Sequence, residues 1–345
     1  MDLRTLCELP GLSGREEPVR MAIYQECVEK LGKENVTIDR MGNVIAHKKG
    51  RDETAPHVMV SAHMDEVGLM VLSATDDGLL RVCAIGGIDP RVLVSKRVKV
   101  GYGENALNGV IGAMAIHQQT AEDRKHVLPV SQLYVDIGAK DKDEAMQKAP
   151  AGTPIVFVTP WTEFGDHKVL TKALDDRVAC YTMLRLLTCD VRGDTDLVFT
   201  CQEEVGCRGA AGAAFRLNPD IGITLEGTSA NDVGDMPESK HVCTLGKGVA
   251  VSFMDHATIA QPDMFREMLQ TAQANGIPHQ VKMAVAGGND SGPMQRARTG
   301  AKTCVLSVPC RYIHSPNSIA SVSDIENAYK LADAFLRTKK YEEVL

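Results

Sequence analysis

Five short stretches of this 345-residue chain gather the acids and histidines that could do chemistry. Ser61-Ala62-His63-Met64-Asp65-Glu66-Val67-Gly68 comes after the apolar run Val58-Met59-Val60, which reads as a buried strand. Side chains alternate along a strand, so His63 and Asp65 are expected on one face. A carboxylate placed there can accept the spare imidazole N–H, fix the tautomer and raise the basicity that metal ligation needs. Lys172-Ala173-Leu174-Asp175-Asp176-Arg177 sets two adjacent acids just ahead of a helical pattern. Gln202-Glu203-Glu204-Val205-Gly206 comes after the strand-like run Leu197–Cys201, and Thr224-Leu225-Glu226-Gly227-Thr228 closes the next run with an acid. Arg311-Tyr312-Ile313-His314-Ser315-Pro316 closes another with a histidine. Open α/β sheets place their sites at such carboxyl ends.

Taken singly, each stretch has an ordinary explanation. A lone His-x-Asp is more often a satisfied core histidine, and paired acids before a helix are an N-cap with a first-turn charge. Taken together they match a dinuclear hydrolytic centre. Such a centre holds two divalent ions about 3.5–4 Å apart through one bridging carboxylate and terminal ligands on each ion. It also needs an unligated carboxylate to take a proton from the attacking water. His63, His314, Asp175, Glu204 and Glu226 supply the ligands, and Glu203 is left over as the base. Mixed imidazole and carboxylate donors suit zinc or cobalt first and manganese after them, without the thiolates of a structural zinc.

The elements that must position these residues can be read from the pattern. After the turn Gly11-Leu12-Ser13-Gly14 comes helical spacing, with Ser13 and Glu16 at capping-box separation. Residues 36–47 read as two strands joined by a turn at 39–43, and 58–62 as a third. From about Val71 to Val158 the texture changes to short β-branched runs broken by glycines: 79–85, 92–100, 110–116 and 155–158. One helical stretch, 141–148, interrupts them. Beyond Lys168 helices (178–187, 210–216, 263–275) alternate with strands (197–201, 221–225, 280–285, 303–308). A closing helix runs from Ser323 to about Thr338, with Ser323 and Glu326 at capping-box spacing. The fold class expected is α/β, a mixed sheet with helices on both faces plus a small inserted β-rich domain. Residues 1–69 and 163–345 would form the discontinuous main domain, and 70–162 a barrel-like insertion.

Composition narrows the partners. Hydrophobic residues at 44% and charged residues at 24% describe an ordinary globular chain. A net charge of −7 argues against nucleic acid held by a general positive field. No apolar run approaches the roughly 20 residues that span a bilayer, and Met1-Asp2-Leu3-Arg4 opens no signal core, so no membrane partner is expected. The ten cysteines are scattered without a C-x-x-C pair, which points to a reduced, cytoplasmic interior. Gly101-Tyr102-Gly103-Glu104-Asn105-Ala106 fits a dinucleotide motif, but glycine-broken, strand-like residues come next where a helix is required. Ser291 lacks the G-x-S-x-G elbow of a serine hydrolase.

The order S-A-H-M-D-E-V-G, K-A-L-D-D-R, E-E-V-G, L-E-G-T-x-A-x-D, G-G-x-D and Y-I-H-S-P resembles the TET-type, or FrvX-like, glutamyl aminopeptidase family. G-L-S-G-R-E-E and D-R-M-G-N-V-I-A extend the likeness to nearly the whole chain. The resemblance implies a zinc-peptidase-like fold carrying a β-rich insertion between the first histidine and the bridging aspartate. It makes Asp175 the bridge, pairs His63 with Glu226 on one ion, and pairs Glu204 with His314 on the other. Glu203 would be the general base and Asp65 the partner of His63, with Asp176 flanking the bridge. It also implies peptides with a free N-terminus as substrates, and a homo-oligomer, up to a dodecamer. Many members carry Asp where this chain has Glu226, so Asp232 and Asp235 are fallback ligands. The Gly287-Gly288-Asn289-Asp290 turn makes Asp290 a candidate substrate-pocket residue. Two rival readings accompany this one: hydrolysis of another bond, since some relatives are described as endoglucanases, and a non-catalytic oligomeric binding protein.

Overall fold

The computed structural model describes residues 1–285 and 287–338. Helices α1 (Leu3–Glu8) and α2 (Glu17–Leu31) lead into the hairpin of β1 (Val36–Ile38) and β2 (Val44–Lys48), and then into β3 (Val58–His63). The chain then leaves the main sheet for β4 (Gly68–Ala74), β5 (Leu80–Ile85), β6 (Arg97–Val100), β7 (Leu107–Gly112), β8 (Tyr134–Asp136), helix α3 (Lys142–Lys148) and β9 (Pro154–Phe157). These six strands close a barrel in the order β4-β5-β8-β7-β6-β9. Leu69, Val82, Val98, Ile111, Val135 and Ile155 fill it as a hydrophobic cluster of its own.

The return is made by β10 (Thr162–Phe164), β11 (Lys168–Thr171), α4 (Leu174–Leu186), β12 (Thr195–Thr200), α5 (Arg208–Leu217) and β13 (Ile221–Ser229). After these come β14 (Val249–Ser252), α6 (Pro262–Ala274), β15 (His279–Lys282), α7 (Ser291–Arg296), β16 (Lys302–Arg311), β17 (Ser318–Ser321) and α8 (Val322–Arg337). The main sheet runs β1-β2-β12-β3-β13-β16-β17-β11-β10, with β14 on β16 and β15 on β14. Its centre, β12-β3-β13-β16, is parallel. Every residue of β3 and β12 is buried, as strands covered on both faces require. Alternation sorts the side chains. Val60, Phe199 and Ile223 join the core beneath α4 and α8, while Met59 and Val198 pack with Ala213 and Met294 from α5 and α7. Because the four central strands run the same way, their last residues share one edge.

Several local expectations shift. The run 92–100 holds only β6 as strand, since Pro90–Val92 forms a 3₁₀ turn. The run 110–116 ends as strand at Gly112, and 280–285 at Lys282. Neither capping box forms. The cap of α2 is Glu16 itself and that of α8 is Ser321, neither with a side-chain capping bond. Ser13 and Glu16 are drawn elsewhere: the Ser13 hydroxyl donates to Asp65, and Glu16 accepts from the Gly14 and Gln202 N–H groups. Gly103–Asn105 is a 3₁₀ turn leading into β7, so the dinucleotide motif has no helix behind it.

Candidate metal centre

The shared edge brings the five stretches together. His63 ends β3, level with Thr200 at the end of β12, and Gln202–Glu204 occupy the next turn. Glu226 lies near the end of β13, paired with Ser307 of β16, while His314 lies just beyond β16. Asp175 and Asp176 sit at the head of α4 in non-helical conformations, joined by a cis peptide bond. Gly227 lets this corner approach β13: a Cβ there would meet Asp175 Cα at 3.1 Å. Ala173, Gln202, Cys207, Tyr312 and His314 all adopt left-handed backbone, with φ between 51° and 60°. Such conformations are sparsely populated by residues other than glycine, and here they cluster around one site.

Asp175 is the hub. Its Oδ1 lies 3.3 Å from His63 Nε2 and its Oδ2 lies 3.5 Å from His314 Nε2. Glu204 Oε2 is 3.2 Å from His314 Nε2, and Glu203 Oε2 is 3.9 Å from His63 Nε2. Ligand atoms of His63, Asp175 and Glu204 all fall within 4.8 Å of one another. Glu226 lines the same cavity of about 480 Å³, together with Glu203, Glu204, Asp175 and His314. Asp232 is instead held by Arg311 at 2.7 and 3.0 Å, and Asp235 is exposed. Of the three acids considered for that ligand, only Glu226 faces the cavity.

The electrostatics call for positive charge. Burial pushes Glu203 up to about 8 and Glu204 up to about 7, against the pull of the nearby histidines. Glu226 is raised well above the carboxylate range by burial and then by Glu203. Burial works against charge on His63 and His314, yet Asp175 and the neighbouring acids raise His63 well above its usual value and His314 to about 9. Asp175 is lowered: burial opposes this, but both histidines outweigh it. Asp175 Oδ1 and Glu226 Oε2 are buried with no hydrogen-bond partner among the described residues. Carboxylate oxygens in that state are costly unless a cation satisfies them. The donor set therefore fits divalent metal.

Two residues play parts the sequence did not show. The His63 ring nitrogen Nδ1 lies 3.0 Å from the main-chain carbonyl of Asp65, while the Asp65 carboxylate is 3.6 Å away. Strand alternation ends at His63, so the expected carboxylate–imidazole pairing gives way to the carbonyl as nearest acceptor. The Asp65 carboxylate instead accepts the Ser13 hydroxyl at 2.6 Å and the N–H groups of Glu203 and Glu204 at 3.0 and 3.2 Å. It fixes the turn carrying both glutamates. Burial opposes its ionisation, but His63 and these donors hold its pKa below the usual value. Cys207, one of the ten scattered cysteines, lines the cavity and donates to Glu203 Oε1 at 3.3 Å. Its position four residues after Glu203, in a turn beyond a buried strand, was the available signal.

The remaining candidates lie around this centre. Asp176 is fully buried and accepts the His63 N–H at 3.1 Å, beside the bridge position. Asp290 is 1% exposed, accepts from Thr200 at 2.5 Å, and stands behind Glu203 and Cys207, apart from the cavity wall formed by Gly287–Asn289. Ser291 bonds Asn289 and Thr258, and no histidine is hydrogen-bonded to it among the described residues. From the barrel, Gly87 reaches the cavity, where a Cβ would meet His314 at 3.6 Å.

Residues 42–331 match the model of the M42 glutamyl aminopeptidase family. The chain belongs to that family. It is thereby a hydrolase of peptide bonds. It is 38% identical over 332 residues to a putative aminopeptidase of Acetivibrio thermocellus, covering 95% of this chain and 96% of that one. The TET aminopeptidase of Thaumarchaeota archaeon SCGC AB-539-E09 superposes with a TM-score of 0.93 at 30% identity, covering 99% and 96% of the two chains. The TET1 peptidase of Pyrococcus horikoshii, described as assembling into a tetrahedron or a large octahedral shell, gives 0.84 at 31% identity, covering 97% and 98%.

Proposed function

We propose that this M42 chain is a dinuclear metallo-aminopeptidase that releases N-terminal residues from peptides. In this reading His63, Asp175, Glu204, Glu226 and His314 would hold the metal, with Asp175 as the ligand shared by both histidine sides of the site. The observation that carries it is Asp175 spanning both histidines at 3.3 and 3.5 Å, beside a buried Glu226 Oε2 with no hydrogen-bond partner among the described residues. Zinc or cobalt suits the donors best, with manganese third. When bound, the ions would polarise the scissile carbonyl and acidify the attacking water. Glu203, close to His63 but outside the ligand set, takes that water's proton and delivers it to the leaving amine. Asp65 holds the Glu203–Glu204 turn through two main-chain bonds, so the base keeps its place while its neighbour ligates. The carboxylates of the cavity attract the free α-amine of a peptide, which favours cleavage at the N-terminus.

Removal of metal by a chelator should abolish hydrolysis of aminoacyl-anilides, and zinc, cobalt or manganese should restore it. Full activity in protein shown by elemental analysis to be metal-free would overturn the reading.

We also propose that the chain divides at 1–69 with 163–345 against 70–162, and that the inserted barrel governs assembly and access. Closure of β4 to β9 around its own core supports this division, as does the reach of Gly87 into the cavity. A cytoplasmic setting is supported by ten cysteines with no disulfide among the described residues. Among those residues no helix is long and apolar enough to cross a membrane. By analogy with the shells of its relatives, the chain should form a homo-oligomer, up to a dodecamer. Light scattering on purified protein should give the mass of that particle, and a monomer at micromolar concentration would rule it out.

A further inference from the structure

Behind the proposed base lies a second group of donors that the five-ligand set leaves unused. One ligand atom each from Glu203, Cys207 and Asp290 falls within 4.8 Å of the other two. The Cys207 thiol already points at Glu203 Oε1, at 3.3 Å. Asp290 is 1% exposed, and its Oδ1 has no hydrogen-bond partner among the described residues. Two carboxylates thus converge on one sulfur, and no Lys or Arg pairs with any of the three among those residues. Cys207 is half-buried and lines the cavity, so an ion entering the site can reach it.

We propose that Glu203, Cys207 and Asp290 form a third cation site, and that a thiophilic divalent ion bound there switches the enzyme off. The inhibitory half rests on the reading of Glu203 as general base, because a carboxylate bound to a cation cannot accept the water's proton. Sulfur donors select zinc, cobalt and cadmium over magnesium or manganese, so the switch responds to softer metals. Binding forms a metal–sulfur bond as the S–H bond breaks. The proton passes to solvent, and no electron changes hands. Burial and the neighbouring acids keep the thiol protonated until a metal arrives, because they raise its pKa.

The test uses holoenzyme carrying its resident metal, titrated with further cobalt. Wild type should take up one more equivalent by equilibrium dialysis and develop a thiolate-to-cobalt charge-transfer band in the near ultraviolet. Activity should fall in step with the band. Cys207→Ala should lose the band and the extra equivalent, and zinc should inhibit it only at concentrations about 10- to 100-fold higher, relative to its own uninhibited rate. Asp290→Asn keeps the sulfur but weakens the site, so its band should appear at higher cobalt. Absence of the extra equivalent in wild type at millimolar cobalt would overturn the site, as would an undiminished band in Cys207→Ala. An extra ion and band with full activity would uphold the site and overturn the base assignment of Glu203 instead.

Discussion

Glu203→Gln should slow hydrolysis by about 10²- to 10⁴-fold while metal content stays near that of the wild type. The amide keeps the shape of the side chain and the turn held by Asp65, but it can no longer accept a proton. Glu204→Gln, one residue on, should instead lose metal. The geometry separates the neighbours. Glu204 lies 3.2 Å from His314 and within the cluster around Asp175, whereas Glu203 stands 3.9 Å from His63 and spends one oxygen on Cys207. Turnover of an aminoacyl-anilide, measured beside metal content by elemental analysis, distinguishes the two. Metal loss concentrated in the Glu203 variant would exchange their roles.

Both glutamates are legible in the sequence because the strand ahead of them is buried on both faces. A fully covered parallel strand reads as an unbroken apolar run, and the residues just beyond its end must lie at the sheet edge. The same reasoning locates His63, Glu226 and His314. The inserted barrel is visible as a texture, yet its strands are harder to bound. Tyr134–Asp136 is only three residues long, and the β-branched residues at 92–94 continue across a turn. Short strands toward one end of the sheet, such as Lys168–Thr171 and Ser318–Ser321, carry too few residues for a period to show.

Elsewhere tertiary partners override local signals. Ser13 and Glu16 have the spacing of a capping box, but Asp65 and the Gln202 N–H offer them buried bonds at the site. Alternation would turn Asp65 toward His63, but the strand stops at His63. Cys207 depends on a left-handed backbone in a turn, and no periodicity reports that.

Glu66 is silent in the sequence for a related reason, and it carries the largest stability effect expected here. Its carboxylate is buried and accepts from Lys172 Nζ at 2.7 and 2.8 Å and from the Gly11 N–H at 3.0 Å. Arg177 Nη2 lies 3.7 Å away. Removing one partner of a buried pair leaves the other charge uncompensated, at a cost of about 3–5 kcal/mol. Glu66→Gln should therefore lower the urea midpoint by that equivalent without changing the slope. Arg177 can stay charged without Glu66, because it also donates to the main-chain oxygens of Met64, Leu6 and Leu9. Among the described residues Lys172 has only the Leu9 carbonyl besides Glu66. The uncompensated charge thus falls mainly on Lys172, and the double variant Glu66→Gln/Lys172→Met should recover most of the loss. The pair joins the end of β3 to the lead-in of α4, on either side of His63 and Asp175, so metal affinity should fall and recover with stability. A Glu66→Gln protein as stable as the wild type would mean that the pair adds nothing to folding. A double variant no better than the single would place the cost on Arg177 or Gly11 instead.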